Sequence, residues 1–403
     1  ACGNKQMRKF LSLGPQPLAN SFLKDASEFE GEASFPLDVY YCPGCSLVQL
    51  LDVIDPQVLF RNYIYVTGTS TTIAEHNIRY AQTVVDVLSL TTSDLVVEVA
   101  SNDGSLLKCF QPHGVRTLGI EPATNIAQLA RAAGVETVNE FFDRETARNV
   151  RDTHGSAKAI IANNVLAHVD DTQDFLAGAR DLLTHDGLLI VEVPYVGELL
   201  ERFEYDTVYH EHLCYFSITA LMHLCAAVGL SVVRIDHVPV HGGSVRMYAG
   251  RTEYHGGHSA AVQDLAARET RQGVTAFSRY LRLAEDVQQN RRALRALLSE
   301  LKAQGKRIAG YGAPAKGNTL LNFCDISTDL VDFTVDRNPL KVGSFTPGMH
   351  IPVLPVEALL EQQPDYVLIL AWNFADEIQQ QQAEYKRRGG RFILPIPEPM
   401  VLP

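Results

Sequence analysis

Apolar positions along the chain change period several times, and each change marks a predicted element. From Ile73 to Leu90 the spacing is amphipathic and predicts a helix. It leads into the apolar run Asp94-Leu95-Val96-Val97-Glu98-Val99, rich in β-branched residues, which predicts a strand. A loop, a second strand over Thr117-Leu118-Gly119-Ile120 that ends at Glu121, a helix from Asn125 to Ala133 and a third strand over 159–162 follow. Leu188 to Val193 continues the sheet, so the pattern is that of a doubly wound α/β unit. Residues from about 258 to 304 read helical with an Arg- and Gln-rich face and no Pro or internal repeat, a helical bridge. Strands over 307–309, 330–335 and 366–370 then predict a second α/β unit, with a Pro-rich tail after Phe392-Ile393-Leu394. Residues 1 to about 65 are short-patterned and turn-rich. The organisation expected is a small N-terminal domain over 1–65, a central domain over 66–255, and a bridge with a C-terminal α/β domain over 256–403.

Composition changes this picture little. The 403 residues are 46% hydrophobic and 20% charged, as in an ordinary globular protein of two or three domains. A formal charge of -12 argues against coating nucleic acid, which needs a basic face. No apolar run approaches the roughly 20 residues that cross a bilayer, and the start lacks a secretory apolar segment, so a cytoplasmic, non-membrane protein is expected. Seven scattered cysteines do not outline a disulfide framework.

The close pair Cys42 and Cys45, in Tyr40-Tyr41-Cys42-Pro43-Gly44-Cys45, is the exception. A segment this small commonly needs a staple, and a Cys-x-x-Cys knuckle presents two thiolates to one zinc ion. Cys2 supplies a third thiol. A tetrahedral site takes four, which a cysteine two residues before Ala1 would complete. A redox dithiol is the competing reading, but such a motif sits at a helix start after a strand.

The loop Ala100-Ser101-Asn102-Asp103-Gly104 follows the first central strand, and Glu121 ends the second. Small residues permit close approach of a cofactor, and a carboxylate at that strand end accepts both ribose hydroxyls. A dinucleotide site shares the acid but prefers Gly-x-Gly-x-x-Gly for its pyrophosphate. S-adenosylmethionine carries no phosphate and tolerates Asn102-Asp103. Glu98, Ala100, Asn102, Gly104 and Glu121 are therefore candidate cofactor residues, joined by Asn164 after the third strand, where open α/β sheets place ligands.

The densest chemistry lies in Glu204-Tyr205-Asp206-Thr207-Val208-Tyr209-His210-Glu211-His212, two histidines among carboxylates and phenols. Histidine is the usual acid/base near neutral pH. His168, at a strand end, is a second candidate. Two further turns could hold an anionic acceptor: His241-Gly242-Gly243-Ser244-Val245-Arg246, read as a flexible turn with a guanidinium, and Gly310-Tyr311-Gly312-Ala313-Pro314-Ala315-Lys316-Gly317-Asn318-Thr319, which joins a strand to a helix start. The latter lacks Walker spacing, so triphosphate hydrolysis is not expected, while a nucleoside diphosphate handle fits.

Taken in order, these motifs resemble the zinc-containing sugar C-methyltransferases of deoxysugar biosynthesis, over essentially the whole chain. Asp336-Arg337-Asn338-Pro339 extends the match. The resemblance implies a zinc-bearing N-terminal domain, a central Rossmann-like S-adenosylmethionine methyltransferase domain and a C-terminal domain for the nucleotide-sugar. It implies a structural zinc on Cys2, Cys42 and Cys45 with one further cysteine. It carries the role of general base onto His212, with Tyr209 and Glu211 as neighbours. Asn164 and His168 match a strand-end pair, and Tyr63 matches a tyrosine from the N-terminal domain. Acceptor contacts fall on His241, Ser244, Arg246, Lys316, Asn318, Thr319, Asp336, Arg337 and Asn338. The acceptor implied is a dTDP-linked 4-keto-deoxysugar. A ketone at carbon four acidifies the hydrogen on carbon three, so His212 can form an enolate that attacks the methyl sulfonium. His168 or Tyr63 would stabilise the enolate oxygen, worth about 3 kcal/mol per placed donor, and Glu211 would fix the tautomer of a neighbouring histidine. A monomer is expected. Competing readings are an N- or O-methyltransferase of a nucleotide-sugar, a non-catalytic nucleotide-sugar-binding protein, and a zinc hydrolase built on His210 and His212.

Overall fold

The computed structural model describes residues 2–60, 71–238 and 243–402. The central domain is a seven-stranded sheet in the order Leu230–Val238, Ser244–Arg251, Leu183–Pro194, Ala157–Asn163, Leu95–Val99, Arg116–Ile120, Thr137–Val138. All neighbours pair parallel except Ser244–Arg251, which runs antiparallel to both of its partners. Leu95–Val99 is buried at every position, as a strand covered by helices on both faces must be. Strand order reverses between it and Ala157–Asn163, both having crossovers that lead away from their shared edge. The carboxyl ends of these two strands therefore open a crevice, the place where an open α/β sheet receives its ligand.

The N-terminal segment forms an antiparallel sheet of Arg8–Gln16, Phe35–Tyr41 and Val48–Leu50, and its fourth strand, Cys214–Tyr215, comes from the central domain. Gln49 pairs with Cys214, and Val48 with Tyr215. Among the described residues this segment has no core of its own. Leu11, Leu37, Val39 and Leu47 belong to the same apolar cluster as the central Leu189, Val191 and Phe216. Tyr41 reaches the bridge, its hydroxyl donating to the Thr275 carbonyl.

The bridge is helical, as expected. It is two helices, Ala260–Gln272 and Phe277–Ala303, parted at Gly273, which takes a left-handed φ of 77°. The C-terminal sheet has the order Val353–Leu354, Thr334–Val335, Ile308–Tyr311, Tyr366–Ile369, Arg391–Leu394, Met400–Val401, parallel but for the last strand. Of the apolar run 330–335 only Thr334–Val335 is strand. The residues before it turn, with the Leu330 and Val331 amides donating to Ser327. Gly310 is packed so closely that a Cβ there would lie 2.7 Å from Thr334 Oγ1. Among the described residues no helix is long and apolar enough to cross a membrane.

Candidate active site

A cavity of about 1350 Å³ opens over the crevice and is walled by all three domains. On its cofactor side the loop after Leu95–Val99 holds Ala100 and Asn102 at a left-handed φ of 50° each, and Asn164 stands at 54° after the neighbouring strand. Non-glycine residues in this region cost energy and persist where the surroundings dictate them, often at ligand sites. Glu121 explains part of it. Its Oε2 accepts from the Asn102 amide at 2.9 Å and its Oε1 from the Ala123 amide at 2.8 Å. The carboxylate is thus fixed at the strand end, each oxygen keeping a second acceptor site. Glu98 is buried behind the loop, with Oε2 unpartnered among the described residues. Burial, then Asp103 and Glu121, push its carboxyl well above the usual range. Glu98, Ala100, Asn102, Glu121 and Asn164 all line the cavity. Gly104 does not, and its work is local: φ is 75°, and a Cβ would meet Val135 Cγ2 at 2.6 Å.

On the opposite side the segment 204–212 folds as a turn, Tyr205–Thr207, followed by a bend. His212 Nδ1 donates to the Thr207 carbonyl at 2.9 Å, which leaves Nε2 as its basic nitrogen, 2.9 Å from the Tyr209 hydroxyl. The two rings lie 4.1 Å apart. His168 stands edge-on to His212 at 4.9 Å. Its Nδ1 is 2.6 Å from the Glu211 carbonyl, and burial lowers its pKa to about 4, so the ring is neutral. The Glu211 carboxylate is elsewhere than expected. It accepts from Asn20 Nδ2 at 2.6 Å, so the tautomers of His168 and His212 are set by the main-chain carbonyls of Glu211 and Thr207 and not by this side chain.

Each domain holds this segment. Asn20 reaches in from the N-terminal domain, and strand pairing begins two residues after His212. The Leu213 amide donates to Ala167 in the central domain. From the C-terminal side, Trp372 Nε1 donates to Asp206, while Tyr205 donates to Asn290 Oδ1 on the bridge. Tyr63 lies outside the described residues, as does His241.

Among the described residues assigned to the acceptor, Lys316 alone lines the cavity, its ammonium 4.6 Å from the Trp372 ring centre. Asn318 and Thr319 are buried in the helix Ala315–Cys324, donating to the Ala19 and Ala315 carbonyls. Asp336 caps the Ala313 and Asn338 amides, so Asp336-Arg337-Asn338 shapes the glycine-rich turn from outside the cavity. The expected anion-binding turn at Ser244 and Arg246 is strand. Ser244 opens Ser244–Arg251, and Arg246 is buried with two nitrogens on Glu192 Oε2 at 3.0 and 2.8 Å. Its guanidinium also lies 3.6 Å from the centre of the Tyr80 ring. A charge so compensated is a floor to the site and not a free anion ligand.

The zinc hydrolase reading fails on geometry. His210 turns from His212 to the Pro36 carbonyl at 3.2 Å, and the one cluster of metal-type ligands among the described residues is Cys2, Cys42 and Cys45. Their sulfurs lie within 4.8 Å of one another, unbridged, in a knuckle closed by the Ser46 amide on the Cys42 carbonyl. Three convergent thiols supply three of the four donors of a structural zinc. The cofactor side fits S-adenosylmethionine equally: a fixed strand-end acid for the ribose, an acidic wall for cationic groups, and no phosphate cradle.

Sequence reasoning missed Thr207, Trp372, Asn20, Glu192 and the inner face of the helix Thr71–Leu88. On that helix, polar His76, Asn77 and Tyr80 at buried or half-buried positions were the available signal.

Comparison with known proteins agrees. Residues 1–60 match a family described as "Putative zinc binding domain", 73–235 one described as "Methyltransferase domain", and 239–397 one described as "C-methyltransferase C-terminal domain". The C-methyltransferase NovU of Streptomyces niveus is 39% identical over 401 residues, covering 100% of this chain and 96% of that protein. Among solved structures, an S-adenosylmethionine-dependent methyltransferase from Clostridium acetobutylicum overlaps 44% of this chain and 92% of its own, at 9% identity and a TM-score of 0.36. Magnesium protoporphyrin IX methyltransferase from Synechocystis overlaps 50% and 100%, at 14% identity and a TM-score of 0.34. The full-length match to NovU, together with the three family domains in order, places the chain among the zinc-containing, S-adenosylmethionine-dependent C-methyltransferases.

Proposed function

We propose that the protein methylates carbon three of a dTDP-linked 4-keto-deoxysugar, with His212 as the base that forms the enolate. The observation that carries this reading is the tautomer of His212: Nδ1 is held by the Thr207 carbonyl, so the lone pair sits on Nε2, beside Tyr209 at the cavity. S-adenosylmethionine supplies a methyl group already activated on a sulfonium. The chain has to position an acceptor, remove one proton and keep water out. A carbon acid needs a base at its hydrogen and a polar group at the carbonyl oxygen. Nε2 of His212 takes the proton, and the imidazolium that forms keeps its Nδ1 hydrogen on Thr207. The Tyr209 hydroxyl orients Nε2 in the free protein and is the donor within reach of the new oxyanion, a part for which Tyr63 is the other candidate. His168 walls the base and fixes its ring.

Lys316 suits the diphosphate of the acceptor. It is a cation at the cavity wall, beside a helix start whose backbone N–H groups favour an anion, and the adjoining glycine-rich turn allows close approach. The 39% identity to a protein named as a C-methyltransferase supports carbon as the methyl acceptor.

The test is proton exchange in deuterated water, followed by mass spectrometry, with dTDP-4-keto-deoxysugars and no methyl donor. Native protein should exchange the carbon-three hydrogen, and His212→Ala should abolish exchange and methylation together. Tyr209→Phe should retain measurable exchange, since the base remains. Exchange that survives in His212→Ala would assign the base elsewhere.

A further inference from the structure

Acidic side chains outnumber basic ones on the cavity wall, with Glu121, Asp103, Glu140 and Asp143 on its cofactor side and Asp170, Asp171 and Asp174 further round it. Among the described residues that line it, only two carry a lysine or arginine charge: Lys316 at the acceptor end and Arg79 on the helix Thr71–Leu88. An acidic wall suits a sulfonium and an ammonium. It repels a carboxylate, and the methionine portion of S-adenosylmethionine carries one. Some cation must answer it.

Arg79 is placed to do so. The helix packs its inner face on the central sheet, and the residue after Arg79, the buried Tyr80, donates to Asn163 Oδ1 at the carboxyl end of Ala157–Asn163 at 3.0 Å. On the same helix Asn77 is 6% exposed and lines the cavity, and His76 approaches Arg246 at 3.4 Å. Arg246 is held by Glu192, and Lys316 stands at the acceptor end of the cavity beside Trp372. The Arg79 guanidinium, by contrast, makes no hydrogen bond or ion pair with any described residue. Were the ribose held at Glu121, the amino-acid end of the cofactor would have Ala100, Asn102, Asn164, Asn77 and Arg79 as the further lining of the same cavity.

We propose that Arg79 binds the carboxylate of the methionine portion of S-adenosylmethionine, with the Asn77 amide as a second donor. A planar guanidinium offers two parallel N–H groups to a carboxylate, which a lysine does not. The ammonium of the same group then faces the side of the cavity lined by Asp103 and Glu121. The end of the cofactor is fixed on a rigid helix, and the sulfonium is aimed between the Asn164 and His212 sides of the cavity. The inference concerns the cofactor alone, so it stands or falls apart from the acceptor proposed above.

Calorimetry on the full chain with two ligands tests it. S-adenosylhomocysteine has the amino-acid end, and methylthioadenosine lacks it. A hydrogen-bonded charge contributes roughly 1.5–3 kcal/mol. Arg79→Met should therefore weaken S-adenosylhomocysteine by about tenfold to a hundredfold and leave methylthioadenosine unchanged, which also shows that the variant is folded at its adenosine site. Arg79→Lys should recover part of the loss, and Asn77→Ala should show a smaller loss confined to the same ligand. Unchanged S-adenosylhomocysteine binding in Arg79→Met, or equal weakening of both ligands, would overturn the assignment.

Discussion

Trp372 Nε1 donates to the buried Asp206 carboxylate at 2.6 Å, tying the C-terminal domain to the turn that holds His212. The next residue, Thr207, lends its carbonyl to His212 Nδ1. Burial raises the Asp206 pKa, opposed by Lys316 and the indole N–H. Removing that donor leaves the carboxylate without it, at about 1–3 kcal/mol, and frees the turn. Trp372→Phe should lower kcat by about tenfold and displace the acid limb of the pH–rate profile, with the KM for S-adenosylmethionine unchanged. Steady-state kinetics across pH decides this. A loss of stability without a changed profile would make Trp372 a packing residue only.

The Arg246–Glu192 pair should behave as a buried ion pair. Its side chains are 7% and 4% exposed. Removing one partner strands the other charge, at about 3–5 kcal/mol, whereas replacing both with apolar groups is often neutral. Glu192→Met should lower chemical unfolding stability by that order, and the double change with Arg246→Met should restore most of it. Equal losses in the single and double variants would show that the pair is not coupled.

His168 gives a pH signature. Its pKa is lowered from 6.5 to about 4, so between these values the unfolded chain binds the proton that the folded chain does not. The stability held by the neutral ring is complete above about pH 6.5 and falls as pH drops towards 4. Thermal melting of native protein and His168→Gln over that range should show a steeper acid loss in the native protein. Parallel curves would place the ring in a solvated setting.

Zinc on the cysteine knuckle should matter to His212, the proposed base. The knuckle closes the strands that pair with Cys214–Tyr215, two residues beyond His212. Cys42→Ser should lose zinc by metal analysis, melt at lower temperature and lose methyl transfer, while S-adenosylhomocysteine binding on the central sheet persists. Full activity in zinc-free protein would uncouple the N-terminal sheet from the site.

Much of this was legible along the chain, because local pattern carries it. The strands near 95–99, 116–120 and 157–163 follow from dense β-branched runs, and the cofactor loop follows from small residues between a strand and Glu121. His212 and Tyr209 stand three residues apart, so their meeting was within reach of sequence alone. What the sequence could not supply lies in contacts between distant segments. Ser244 and Arg246 look like a loop because glycines precede them, yet Arg246 has its partner 54 residues away, on a strand that registers with it only in the folded sheet. Glu211 sits beside His212 in sequence, and tertiary packing turned its carboxylate to Asn20, 191 residues away. Sequence determined which chemical groups exist and which elements carry them. Only the three-domain packing decided which carbonyl holds each imidazole, which charges are spent on one another, and which cation is left to meet a ligand, because those choices depend on the burial of groups from different domains in one shared cavity.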